Sequence, residues 1–166
     1  MGNEFNTLDI SGGMNQYTRL TNTLPNNTQG GTFSSGAWRL RNINTVNNDE
    51  FGNVLSLAAG AFTLSPGTYN IRASACANAV NTHKISIQPA GDLGNVLILG
   101  SAADASTFTT QTTAILNGVL VVTVPTAYEL RHLCKTTKTT SGFGERSVFS
   151  ISTVEIYATV ILNKVA

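Results

Sequence analysis

The sequence predicts an all-β domain, an antiparallel sandwich or jelly roll of about ten short strands, preceded by an extended N-terminal arm. Three observations carry that expectation. From Gly36 onward, short runs of alternating apolar and polar residues are separated by turn residues roughly every 8–14 positions. No segment holds an apolar stripe of helical period long enough to make a helix. Charged residues make up only 11% of the 166 positions, against about a quarter in an average soluble domain, and 23 Thr and 17 Asn supply the polar surface instead. A hydrophobic content of 42% is enough to fill one core, and the length fits a single domain. No internal repeat is visible, which argues against a propeller or solenoid.

Residues 1–35 read as the arm and residues 36–166 as the domain. In the arm, Glu4, Asp9 and Arg19 are diluted among Asn, Thr and Gly with single, spaced apolar residues. Pro25 and the polar run 26–31 interrupt any regular element. The spacing of Phe5, Leu8, Ile10, Tyr17 and Leu20 suits a segment that becomes ordered by lying on a partner. Residues 38–46 read as the first strand, with Trp38, Leu40 and Asn42 on one face and Arg39, Arg41 and Ile43 on the other. Short strands at 54–57 and 61–64 flank residues 58–60, and Ser65, Pro66 and Gly67 form a turn. Residues 68–77 alternate strictly, with Tyr69, Ile71, Ala73 and Ala75 facing one way. Residues 83–88 follow with Ile85 and Ile87 inward. The unbroken apolar run at 95–101 suggests a strand covered on both faces. Residues 102–112 read as a surface connection, and 114–124, 128–134, 146–151 and 154–164 complete the set.

The last strand is the most informative. Val154, Ile156, Ala158, Val160 and Leu162 share one face, while Glu155, Tyr157, Thr159 and Ile161 share the other. A face open to water is polar throughout, so Tyr157 and Ile161 mark a surface that packs against another copy, with Tyr157, Thr159 and Ile161 as its residues.

A net charge of +1 gives no electrostatic footprint for nucleic acid or anionic lipid. No apolar run is long enough to span a bilayer, and residues 1–10 lack the features of a secretory signal. The sequence holds no nucleophile elbow, no phosphate-cradling loop followed by Lys and no zincin helix. Asp49 and Glu50 are adjacent and so point to opposite faces of a strand. These features predict a non-enzymatic protein without a cofactor. Cys76, His83, His132 and Cys134 leave three readings open: two free thiols, one disulfide, or a tetrahedral soft-metal site, the last opposed by the lack of paired ligand spacings. Tyr17, Phe108, Phe143 and Phe149, with many Asn, also leave room for a glycan-binding surface.

Several separated motifs resemble a known family. They are the run 31–45 through Phe33 and Trp38, the step from Phe62 through Leu64 and Gly67 to Tyr69 and Ile71, and His83 with Ile85 and Ile87. The stretch 128–134, Gly142-Phe143-Gly144 and residues 155–161 follow in order. Together they resemble the TNF-like jelly-roll domains of tailed-bacteriophage virion proteins over residues 31–164. The resemblance implies ten strands, a compact homotrimer with the final strand near the threefold axis, and a location in the virion. It implies one of two roles. The first is a capsid decoration or cement protein whose arm (Phe5, Leu8, Ile10, Tyr17, Leu20) contacts the major capsid protein. The second is a tail-fibre component contacting tail proteins and host surface polysaccharide. The short leader, without a heptad repeat, favours decoration.

Overall fold

The computed structural model describes residues 16–106, 110–149, 151 and 153–165. Among the described residues twelve strands form: β1 Gln16–Leu24, β2 Arg39–Leu40, β3 Thr45–Asp49, β4 Val54–Ala58, β5 Ala61–Leu64, β6 Gly67–Asn78, β7 Asn81–Pro89, β8 Ile98–Leu99, β9 Ala103–Ala105, β10 Gln111–Val122, β11 Thr126–Cys134 and β12 Glu155–Lys164. The first sheet has the order β10-β6-β12-β1-β3. The second runs β4-β5-β11-β7-β8, with β2 also on β11 and β9 also on β7. All pairings are antiparallel, so the all-β sandwich stands. The count exceeds ten because two sheet positions are each built from two short pieces. β5 and β2 share one edge of β11, and β8 and β9 share one edge of β7.

The alternation along β6 does what its pattern requires. Tyr69, Ile71, Ala73 and Ala75 are buried, and Leu20, Leu116, Val160 and Leu162 join them from the same sheet. They meet Phe62, Leu64, Ile85, Ile87 and Leu130 from the other. Burying each large side chain of this kind contributes about 1.5–3 kcal/mol. A smaller cluster of Phe33, Ala77, Val80, Ala105 and Cys134, with Phe143 against it, closes one end of the sandwich. At the β4–β5 hairpin, Ala59 and Gly60 both have positive φ, the backbone a two-residue turn of this hand demands.

Four expectations change. First, the domain begins at residue 16 among the described residues. Gln16–Leu24 is a strand between β12 and β3, with Leu20 fully buried in the core. It reads as an arm because several of its buried positions are polar. Thr18 Oγ1 donates to Asp49 Oδ1 at 2.7 Å and Thr21 Oγ1 to Asn47 Oδ1 at 2.8 Å, so burial leaves no apolar alternation to see. Residues 25–35 also belong to the domain: Gly30 N donates to the Gly144 carbonyl and Phe33 N to that of Lys138. Tyr17 and Leu20 are therefore not arm contacts, while Phe5, Leu8 and Ile10 lie outside the described residues, as does Phe108.

Second, residues 38–46 do not form one strand. A tight turn, with Ile43 N donating to the Arg41 carbonyl at 2.7 Å, carries the chain from β2 in one sheet to β3 in the other. Arg41 and Ile43 are buried at the crossing. Third, residues 95–101 are not covered on both faces. β8 is a two-residue edge strand, and Leu97 and Leu99 stay exposed. Fourth, residues 146–149 form no strand.

Candidate assembly surface

The outer face of the five-stranded sheet is set row by row by strand register. Ile115, Ser74, Thr159 and Thr21 form one row, and Asn117, Arg72, Ile161 and Arg19 the next. Val119, Asn70, Asn163 and Tyr17 form a third. Opposed residues of an antiparallel pair point to the same side, so each row lies across one surface. A solvated sheet face is ordinarily polar, yet Ile115, Val119 and Val121 are 52%, 59% and 64% exposed. Tyr17 on β1 and Ile156 on β12 are also exposed. A depression of about 190 Å³ opens in this face between Arg72, Ser74, Ile115, Asn117, Thr159 and Ile161.

Of the three residues expected at a copy–copy interface, Thr159 and Ile161 occupy this face, half-buried in the single chain. Tyr157 does not. The register passes from Asn22 opposite Ala158 to Thr23 opposite Ile156, leaving Tyr157 as an extra residue in a β-bulge. The bulge reverses the phase of β12. Glu155 and Tyr157 turn inward while Ile156 turns outward, and beyond the bulge Ala158, Val160 and Leu162 are buried. The Tyr157 hydroxyl donates to the Thr28 carbonyl at 2.6 Å, and burial pushes its phenol pKa well above the ordinary value. Tyr157→Phe is expected to cost about 1 kcal/mol in a denaturant titration and to leave the mass of the native particle unchanged by light scattering.

At the end of the sandwich closed by Phe33 and Phe143 lies a buried polar cluster centred on Arg41. Pairing between β6 and β12 stops at Ala75 and Ala158. Past that point the guanidinium of Arg41 takes over, with Nη2 donating to the Tyr157 carbonyl at 2.6 Å and Nη1 and Nη2 both donating to the Phe143 carbonyl at 3.0 Å. It lies 4.5 Å from the centre of the Phe143 ring, a cation–π contact strengthened by exclusion of water. Phe143 in turn stacks on Phe33 at 4.4 Å. Desolvation lowers the Arg41 pKa to about 10, so the group is charged at neutral pH.

Alongside, His83 Nδ1 and His132 Nε2 share a hydrogen bond of 2.9 Å, and His83 Nε2 meets Thr112 Oγ1 at 2.9 Å. Burial first, and the charge of Arg41 second, lower the His83 pKa to about 4 and that of His132 well below its ordinary value. Cys76 and Cys134 are free thiols with pKa values raised by burial. The Cys76 thiol donates to the Tyr157 and Phe143 carbonyls, and the Cys134 thiol to that of Thr136. Among the described residues, no three His, Cys, Asp or Glu side chains converge on a metal position. The cluster holds loops: it ties residues 30–33 and 142–144 to the sandwich. Phe143, which the sequence offers to a glycan-binding surface, is one of its packed members.

No protein-family profile matches the chain, and no curated protein matches it in sequence. Solved structures do match in fold. The crystal structure of murine APRIL at pH 8.5 aligns at 11% identity with a TM-score of 0.54, covering 90% of this chain and 99% of that one. Murine APRIL at pH 5.0 aligns at 8% identity and 0.53, covering 91% and 99%. The fold is a TNF-like jelly roll.

Proposed function

We propose that this chain is a non-enzymatic structural protein that trimerises through the outer face of its five-stranded sheet and decorates a tailed-phage head. One observation carries the assembly: the uncovered apolar side chains Ile115, Val119 and Val121 along β10, on a face where water should meet polar residues. Thr159 and Ile161 extend that face across the closing strand. The virion setting rests on the sequence motifs, since fold alone does not select a role. Binding to a shell through several copies of one knob gains from effective concentration. With a net charge of +1, attachment depends little on salt.

Light scattering on the purified protein is expected to give three times the 17.5 kDa chain mass, and Val119→Glu to give a folded monomer. A wild-type protein that stays a monomer at micromolar concentration overturns the assembly. Binding of the protein to phage heads lacking it, with no effect on adsorption to host cells, supports decoration. A second reading, a tail-fibre component contacting host surface polysaccharide, draws on the connection before β12. There Val148, Phe149, Ile151 and Val154 all face solvent, and exposed apolar groups of this kind mark contact surfaces. Blocked adsorption selects that reading.

A further inference from the structure

The depression in the outer sheet face has a one-sided chemistry. Its polar lining residues are Arg72, Ser74, Asn117 and Thr159, set among Ile115 and Ile161 above the buried Ala73 and Leu116. Arg72 stands directly opposite Ile161 on β12, which stands directly opposite Arg19 on β1. The two arginine backbones are two strand spacings apart, about 10 Å, on the same side of the sheet. No Asp or Glu occupies the rows of this face among the described residues. The salt bridge among those residues is Arg131 to Glu129, on the other sheet. Arg72 and Arg19 thus flank Ile161, and among the described residues neither makes a salt bridge.

We propose that this depression binds a small oxyanion, inorganic phosphate or sulfate, anchored by Arg72 and assisted by Ser74, Asn117 and Thr159, with Arg19 adding a second positive charge. The guanidinium fork matches two oxygens of such an anion, and the hydroxyls and amide offer donors for the remaining oxygens. The site is built within one chain and does not need the trimer. If copies do close over this face, the bound anion supplies the counter-charge that burying two arginines otherwise lacks.

The test is a titration of inorganic phosphate and of sulfate into the full-length protein, held at constant ionic strength with chloride, with backbone amide NMR shifts as the readout. Saturable shifts at Ser74, Asn117 and Thr159 are expected, with affinity at least about tenfold weaker in Arg72→Gln. Arg72 is exposed, so its replacement leaves the fold intact. Lys84→Gln, on the other sheet, keeps wild-type affinity. Shifts that chloride reproduces, or that survive unchanged in Arg72→Gln, overturn the site. Light scattering on the same samples judges assembly separately. A monomer that binds phosphate through Arg72 keeps the site and removes the trimer, and a trimer indifferent to phosphate does the reverse.

Discussion

Replacing Arg41 with methionine is expected to lower stability by about 3–5 kcal/mol. Methionine keeps most of the volume of the aliphatic stem but cannot donate. The carbonyls of Tyr157 and Phe143 then keep only the weak Cys76 thiol as a side-chain donor, and a buried unpaired acceptor costs about 1–3 kcal/mol. The cation–π contact with Phe143 is lost in the same step. Lysine should recover little of this. A point charge on a flexible stem cannot reproduce the fork that reaches both carbonyls from one buried position. Guanidinium titration reads the loss as a lower midpoint at unchanged slope. Faster amide exchange at Gly30, Gly31 and Gly144, whose backbone N–H groups are bonded within the same loop pair, locates it. A loss below about 1 kcal/mol would mean that Arg41 is a passenger of the packing.

Acid should weaken the protein well before its carboxylates dominate. His83 and His132 are the chain's two histidines. Both have folded-state pKa values below the ordinary 6.5, His83 at about 4. An unfolded chain therefore takes up protons near pH 6 that the folded chain refuses. Stability is complete above about pH 6.5 and declines as pH falls towards 4, by on the order of 3 kcal/mol from His83 alone. The groups acting on the pair are Arg41, which opposes protonation of both, and Asp104, which favours that of His83. A stability series from pH 8 to 4 should show this slope, and a His83→Gln, His132→Phe double variant should flatten it. A slope that persists in the double variant assigns the acid sensitivity elsewhere.

What the sequence made legible was alternation. β6 carries small and large apolar residues at every second position, and nothing interrupts it, so strand, face and core membership were all readable. β1 was not readable, because its buried Thr18, Thr21 and Asn22 pair with polar side chains instead of apolar ones. β12 was readable in extent and wrong in phase at one end, since a single inserted residue at Tyr157 leaves no mark in composition. Thr159 and Ile161 lie beyond the bulge, so their outward orientation was predicted correctly. Arg41 was hidden for a different reason. It sits in an apparent strand, Trp38 to Val46, whose chain in fact crosses between sheets, and a charged residue there looks solvent-facing. The one hint was its rarity: in a chain with ten Lys and Arg, an arginine next to Leu40 and two residues before Ile43 merits suspicion of burial.

The place of β12 in its sheet orders the events of synthesis. It lies between β6 and β1, so until Glu155–Lys164 has emerged from the ribosome, the five-stranded layer exists only as two separate halves, β10 with β6 and β1 with β3. β1 must wait for β12, a pairing of high contact order that favours slow closure. A nascent chain cannot complete this layer before β12 has emerged, so any assembly through it follows the synthesis of that strand.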